Sequence, residues 1–167
     1  MKKLLSVIAI VLAVLSLSAC SVLDSLSSKE KQYSTEGMTI TMPGGFYKTE
    51  QEGFKVCYAR DDCAVFALRE GFDELEGLSE LTLDEYADLV LENNELDKPV
   101  NDGAGLKYFE FERDVKDDNG TETFSYLACC YRAGDAFWLV QFSCPKSKYG
   151  ENRSDMLAWA ETVTFSE

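Results

Sequence analysis

The 167 residues contain no histidine. That excludes Ser–His and Cys–His nucleophile pairs and every metal site that needs an imidazole. Basic residues are scarce too: 16 Lys and Arg stand against 30 Asp and Glu, a formal charge of −14 at pH 7. A chain this acidic repels phosphate backbones and anionic headgroups, so no nucleic-acid partner is expected, and charge alone would not hold the chain to a membrane. Proline occurs only three times. No internal repeat is present, and the length suits one domain with a full core.

What is present begins at the N-terminus. Lys2 and Lys3 form a charged n-region, and Leu4 to Leu17 is an unbroken run of apolar and small residues. The run falls short of the roughly 20 apolar residues that a transmembrane helix needs, and it has the flanks of a secretory signal. Leu17-Ser18-Ala19-Cys20 then resembles the lipobox of bacterial lipoproteins. The resemblance implies that Cys20 receives a diacylglyceryl thioether and becomes the first residue after cleavage. Two or more acyl chains anchor stably where one is marginal. Residues 1–19 therefore read as a signal peptide, 20–32 as a Ser-rich flexible tether, and 33–167 as a single domain. The expected location is the extracytoplasmic side of the cell membrane, through the lipid on Cys20. Cleavage removes Lys2 and Lys3 and no acid, so the mature chain is more negative still.

Five of the six cysteines remain beyond Cys20. Outside the cytoplasm disulfides are permitted, but an odd number leaves a thiol over. Cys57 and Cys63 are placed either to bridge a hairpin or to lie in strands as small apolar residues. The vicinal Cys129 and Cys130 read as pointing to opposite faces of a strand.

Met38-Thr39-Ile40-Thr41-Met42 alternates as a half-buried strand does, and Pro43-Gly44-Gly45-Phe46 punctuates it as a turn. Phe54 to Ala59 and Cys63 to Arg69 are β-rich runs joined as a hairpin, with Ala64, Phe66 and Leu68 on one face of the second. Phe72, Leu75, Leu78 and Leu81 then recur three apart, which suggests a loop or short helical turns held by their own side chains. Thr82-Leu83-Asp84-Glu85 supplies a capping box. Leu83, Tyr86, Ala87 and Val90 complete an amphipathic helix ending near Asn93-Asn94. Pro99 to Gly105 reads as a Gly-rich loop. Leu106 to Val115 alternates Phe109 and Phe111 against Glu110 and Glu112, and Asp117-Asp118-Asn119-Gly120 is a hairpin turn. A second hairpin joins Phe124–Tyr131 to Ala136–Cys144, whose apolar residues on both faces mark a central strand covered on both sides. Pro145 ends that strand. A final helix is expected over Glu151 to Thr162, with Met156, Leu157 and Ala160 inward, then a short strand at Val163-Thr164-Phe165. The fold class is α+β, a central antiparallel sheet with helices packed on it.

This order resembles the PsbP-like fold family, an α/β/α sandwich. The resemblance rests on the strand leading into Pro43-Gly44-Gly45-Phe46 and on the helix start Thr82-Leu83-Asp84-Glu85-Tyr86. It rests also on the aromatic strand Ala136 to Phe142, and on Trp159 with Val163-Thr164-Phe165 at the close. It implies non-catalytic binding to a protein or assembly. No residues here match the family's photosystem-binding or Ran-binding determinants, so neither activity is carried over.

From Glu70 to Asp97 there are eleven acidic residues and no basic one. A solvated helix face and a soluble loop account for such a block; a cation or a basic partner is the alternative, with Asp73, Glu74 and Glu76 as the residues to test. Ser28 and Lys31 match the Ser-x-x-Lys spacing of some acylases, but in a tether nothing would hold them in geometry. Phe46, Tyr47, Trp138 and Trp159 read as core more readily than as a pocket lining. The chain is therefore expected to be a non-catalytic binding or adaptor lipoprotein for a protein partner, with no cofactor and no metal site. The alternative is a small-ligand or lipid-binding domain with an apolar cavity between sheet and helices.

Overall fold

In a computed structural model, residues 29–61, 63–74, 76–103, 105–117 and 120–166 are described. The lipobox, Cys20, Ser28 and most of the expected tether lie outside them. In chain order the elements are β1 (Glu30–Thr35), β2 (Met38–Pro43), β3 (Tyr47–Lys48), β4 (Val56–Arg60), β5 (Cys63–Gly71), α1 (Leu83–Asn93) and β6 (Asn101–Gly103). β7 (Leu106–Asp117), β8 (Gly120–Ala133), β9 (Ala136–Pro145), α2 (Lys146–Glu161) and β10 (Thr164–Phe165) complete the chain.

Nine of the ten residues of β9 are buried. It occupies the middle of a seven-stranded sheet ordered β3-β4-β5-β9-β8-β7-β6, antiparallel throughout. A strand with Phe137 and Leu139 on one side and Trp138, Val140 and Phe142 on the other can be satisfied only where both faces are covered. One face carries α2 and a core that includes Val56, Val65, Leu127, Cys129, Val140, Phe142, Met156 and Trp159. The other carries α1 over Phe109, Phe111, Tyr126, Ala128, Phe137 and Leu139. The fold is thus the expected α+β sandwich.

Four local expectations need correction. The domain starts with β1 at Glu30, ahead of the expected boundary at residue 33 and of the expected first strand at Met38, so Glu30 to Gln32 belong to it; they pair with Pro43 to Thr41. Backbone pairing, not side-chain burial, forms β1, since only Tyr33 is buried in it. Strands β1, β2 and β10 also form a separate three-stranded sheet instead of extending the main one. Its inward Met38, Ile40 and Met42 pack into the α2-side core. The Gly-rich loop contains β6, whose three residues pair with Tyr108, Lys107 and Leu106. Finally, α2 begins at Lys146, five residues before the expected Glu151. Pro145 ends β9, and the chain then turns directly into the helix. Gly150, costing about 1 kcal/mol relative to Ala inside a helix, hid that first stretch from a periodicity argument.

Candidate functional site

The acidic segment folds as a loop laid across the end of β5, β8 and β9, followed by α1. Thr82 caps the helix: its hydroxyl accepts from the Glu85 N–H at 3.2 Å, and Glu85 Oε2 accepts from the Thr82 N–H and hydroxyl at 2.8 Å each. Both bonds from Thr82, the backbone one first, hold the Glu85 carboxyl below its ordinary range. Tyr86, Ala87, Val90 and Leu91 face the sheet, while Asp84, Glu85, Asp88 and Glu92 are exposed. Lys107 on β7 reaches this surface, with Nζ 2.6 Å from Asp84 and 2.8 Å from Asp102.

The loop is fastened from below. Arg132 on β8 donates to the Leu81 carbonyl and, at 2.8 Å, to the Ser79 carbonyl. Its guanidinium lies 4.9 Å from the Phe72 ring centroid and 5.2 Å from that of Phe137. The Phe72 N–H donates to the Asp135 carbonyl at 2.8 Å, and Leu78 is buried in a single 3-10 turn at Leu78–Glu80. These contacts realise the expected side-chain-held loop at Phe72, Leu78 and Leu81; Leu75 lies outside the described residues. Under the loop, Tyr86 stacks on Phe137 with ring centroids 4.2 Å apart and planes 6° from parallel. The Tyr86 hydroxyl donates to Glu70 Oε2 at 2.6 Å, and both residues are buried. Burial, as the main cause, raises the Glu70 carboxyl above its ordinary range; the Glu74 charge adds to the rise and the Tyr86 bond opposes it.

Asp73, Glu74 and Glu76 are exposed on the outer side of this loop. Among the described residues no group of three or more His, Cys, Asp or Glu side chains is arranged to hold a metal ion. The sequence reading missed Glu70, although it continues the inward series Ala64, Phe66, Leu68 by one more step of two. An acid at the fourth inward position was the available signal.

The Cys57–Cys63 bridge does not form. Cys57 lies opposite Phe66 and Cys63 opposite Arg60. Cys57 clusters with Ala59, Ala64 and Phe66, whereas Cys63 joins the α2-side core, so the two thiols face opposite sides of the sheet and no disulfide joins them. Cys129 and Cys130 also divide between the two cores, as their alternation requires. Burial pushes the Cys129 thiol up to about 12 and raises that of Cys130 further. Phe46, Trp138 and Trp159 are core, with Trp159 packed edge-on against Phe46 at 5.6 Å; Tyr47 is 54 % exposed.

These aromatic contacts occupy part of the α2-side interior, the region where a small-ligand cavity was the alternative. Among the described residues, open clefts lie elsewhere on the surface. One of about 470 Å³ is bordered by Glu36, Lys48, Glu50, Glu52 and Lys55. The other, of about 420 Å³, is lined by Glu112, Arg113, Asp114, Thr123 and Lys146. Both are lined mostly by polar and charged side chains, unlike the mostly apolar walls usual for drug-sized ligands. No helix among the described residues is long and apolar enough to cross a membrane.

No protein-family model and no curated protein matches the sequence. The architecture does have solved counterparts. The solution structure of cyanobacterial PsbP (CyanoP) from Synechocystis superposes with a TM-score of 0.56 at 15 % identity, covering 90 % of this chain and 99 % of that one. The fold is PsbP-like. That likeness extends to the fold alone, because the identity is so low. More distant in shape are LpqN of Mycobacterium tuberculosis, described as involved in cell envelope biogenesis, and the Ran-binding protein Mog1p of Saccharomyces cerevisiae. LpqN has a TM-score of 0.49 at 12 % identity, covering 83 % of this chain and 91 % of that one. Mog1p has a TM-score of 0.47 at 12 % identity, covering 82 % and 95 %.

Proposed function

We propose that this protein is an extracytoplasmic lipoprotein, anchored to the cell membrane through Cys20, whose PsbP-like domain binds a protein partner and catalyses no reaction. The anchoring half is supported by Leu17-Ser18-Ala19-Cys20 behind a charged n-region and an apolar run. The observation that carries the binding half is the acidic surface of the 72–81 loop and the outer face of α1. Asp73, Glu74, Glu76, Asp84, Asp88 and Glu92 are all exposed there; between the loop acids and the helix acids, the Arg132 bond to Ser79 and the Thr82 cap hold the backbone. The partner chemistry this suits is a basic protein surface, recognised through rim charge that speeds encounter and sets orientation more than it adds affinity. The experiment is chemical crosslinking in intact cells, membrane isolation and mass spectrometry, comparing the wild-type chain with Asp73→Lys/Glu74→Lys/Glu76→Lys. A reproducible partner that the triple variant loses is the expected result. Repeated recovery of no partner would sink the binding reading, and a partner retained by the triple variant would move the interface elsewhere.

A further inference from the structure

Among the described residues Glu70 is an acid with no charge partner. It occupies an inward position one residue from the end of β5 and is buried. Its Oε2 accepts the Tyr86 hydroxyl at 2.6 Å, and none of the ion pairs among the described residues includes it.

The charges around it are engaged elsewhere or repel it. Arg69, the neighbour on β5, points to the opposite face and binds Asp135 at 2.7 Å. Asp73 and Glu74 fold back on that side: a Cβ added at Gly71 would lie 2.7 Å from Asp73 Oδ1 and 3.4 Å from Glu74 Cδ. On β8, Arg132 is directed to the carbonyls of Ser79 and Leu81, and the Cys130 thiol is buried and neutral. From α1 only Tyr86 donates to the carboxyl, and its phenol is kept protonated chiefly by burial. The strand β9 contributes the Phe137 ring. Glu80, on the 3-10 turn, is exposed.

A carboxylate in such a place is relieved when water reaches it. The segment best able to admit water is the 72–81 loop, which is tied by a few side-chain contacts and isolated backbone bonds and has no ladder of its own. We propose that Glu70 is a proton-operated latch: protonated, it stays sealed beneath the 72–81 loop, and ionised, it drives that loop open, displacing Asp73, Glu74 and Glu76.

The direction follows from linkage. The closed-state carboxyl sits above its ordinary range because of burial, with Glu74 adding to the rise. Closure is therefore fully supported below the ordinary Glu pKa, and that support is lost as the pH rises through the raised closed-state value. Each unit by which the closed-state pKa exceeds the open-state one changes the opening equilibrium by about tenfold. Any consequence for partner binding rests on the reading above, whereas the latch is tested on the loop alone.

The test is amide hydrogen exchange of Phe72 to Leu81 in the full chain in detergent, from about pH 5 to 8, corrected for intrinsic exchange rates. In the wild type, loop opening is expected to rise severalfold across this range. In Glu70→Gln, which keeps an acceptor for Tyr86 but cannot ionise, opening should stay flat. In Tyr86→Phe the ring still stacks on Phe137, but the bond favouring the carboxylate is gone, so the transition should move to higher pH. A flat wild-type profile overturns the latch, as does a Glu70→Gln profile that follows the wild type. Loss of the pH dependence in Glu74→Gln alone would assign it to that surface acid and overturn the latch equally.

Discussion

Arg153 of α2 holds both carboxylate oxygens of Glu110 on β7, with Nη2 2.7 Å from Oε1 and Nε 3.1 Å from Oε2. The Tyr149 hydroxyl donates to the same Oε2 at 2.5 Å. Side chains four residues apart on one helix thus meet one acid on the sheet. This fixes the rotation of the first half of α2, the stretch without an apolar stripe of its own.

From that contact comes the first prediction. The Arg153 bond is the main cause that lowers the Glu110 carboxyl, against a smaller rise from burial, and Tyr149 helps. A depressed carboxyl contributes stability that is present above its unfolded pKa and lost as the pH falls through the folded one. The side chains are 41 % and 28 % exposed, so solvent screening limits the pair. Arg153→Met should cost about 0.5–1 kcal/mol at pH 7, the upper part of the range for such pairs. Urea melts at pH 7 and at about pH 3 would check this: the difference between variant and wild type should shrink in acid.

Thr82 offers a second, local test. Its hydroxyl accepts from the Glu85 N–H while Glu85 returns bonds to Thr82, and α1 has no other cap at that end. Thr82→Ala should lower stability by about 1 kcal/mol, the usual loss for an N-cap. Amide exchange should rise first at Asp84 to Tyr86. Thr82→Ser should restore most of the loss, since it keeps the accepting oxygen.

The elements that could be read in the sequence were those whose signal is local. Alternation marked β2, β5 and β7, and Thr82 with Glu85 marked the start of α1. Apolar residues on both faces placed β9 at the centre of the sheet. What escaped depends on residues distant in the chain. β10 joins β2 across the whole domain, with the Thr162 hydroxyl accepting from the Thr41 N–H at 2.9 Å. No run of residues near position 165 could announce a second sheet. β6 has only Asn101, Asp102 and Gly103, residues that favour turns, and exists through its pairing with β7. Of the loop site, Tyr86 was legible as an inward helix position and the acids as a surface block. The Arg132 contacts with Ser79 and Leu81 were not, because no pattern links positions so far apart.

The cysteines give a third prediction. With Cys57 and Cys63 on opposite faces and burial raising the Cys129 thiol to about 12, native thiols should resist alkylation by iodoacetamide at pH 8, where the thiolate is the reactive form. Mass spectrometry should find Cys129 and Cys130 unmodified in the folded protein and labelled once denaturant is added. Non-reducing digestion should yield no peptide pair joining Cys57 to Cys63. Such a pair in freshly secreted protein would contradict the register in which Cys57 faces Phe66.

The last prediction concerns Cys20, the residue through which the proposed anchoring runs. A domain of this charge gains nothing from anionic headgroups, and no helix among the described residues is long and apolar enough to cross a bilayer. On the proposed anchoring, Cys20→Ala is expected to abolish acylation and lipoprotein-type cleavage together. Among the described residues the domain begins with the pairing of Glu30 to Pro43, downstream of Cys20. The variant should therefore lose metabolic labelling with a fatty acid, while a soluble form starting at Cys20 or later melts at the wild-type temperature. Acylation that survives the substitution would refute the assignment of Cys20. A soluble form that fails to fold would refute the independence of the domain from its anchor.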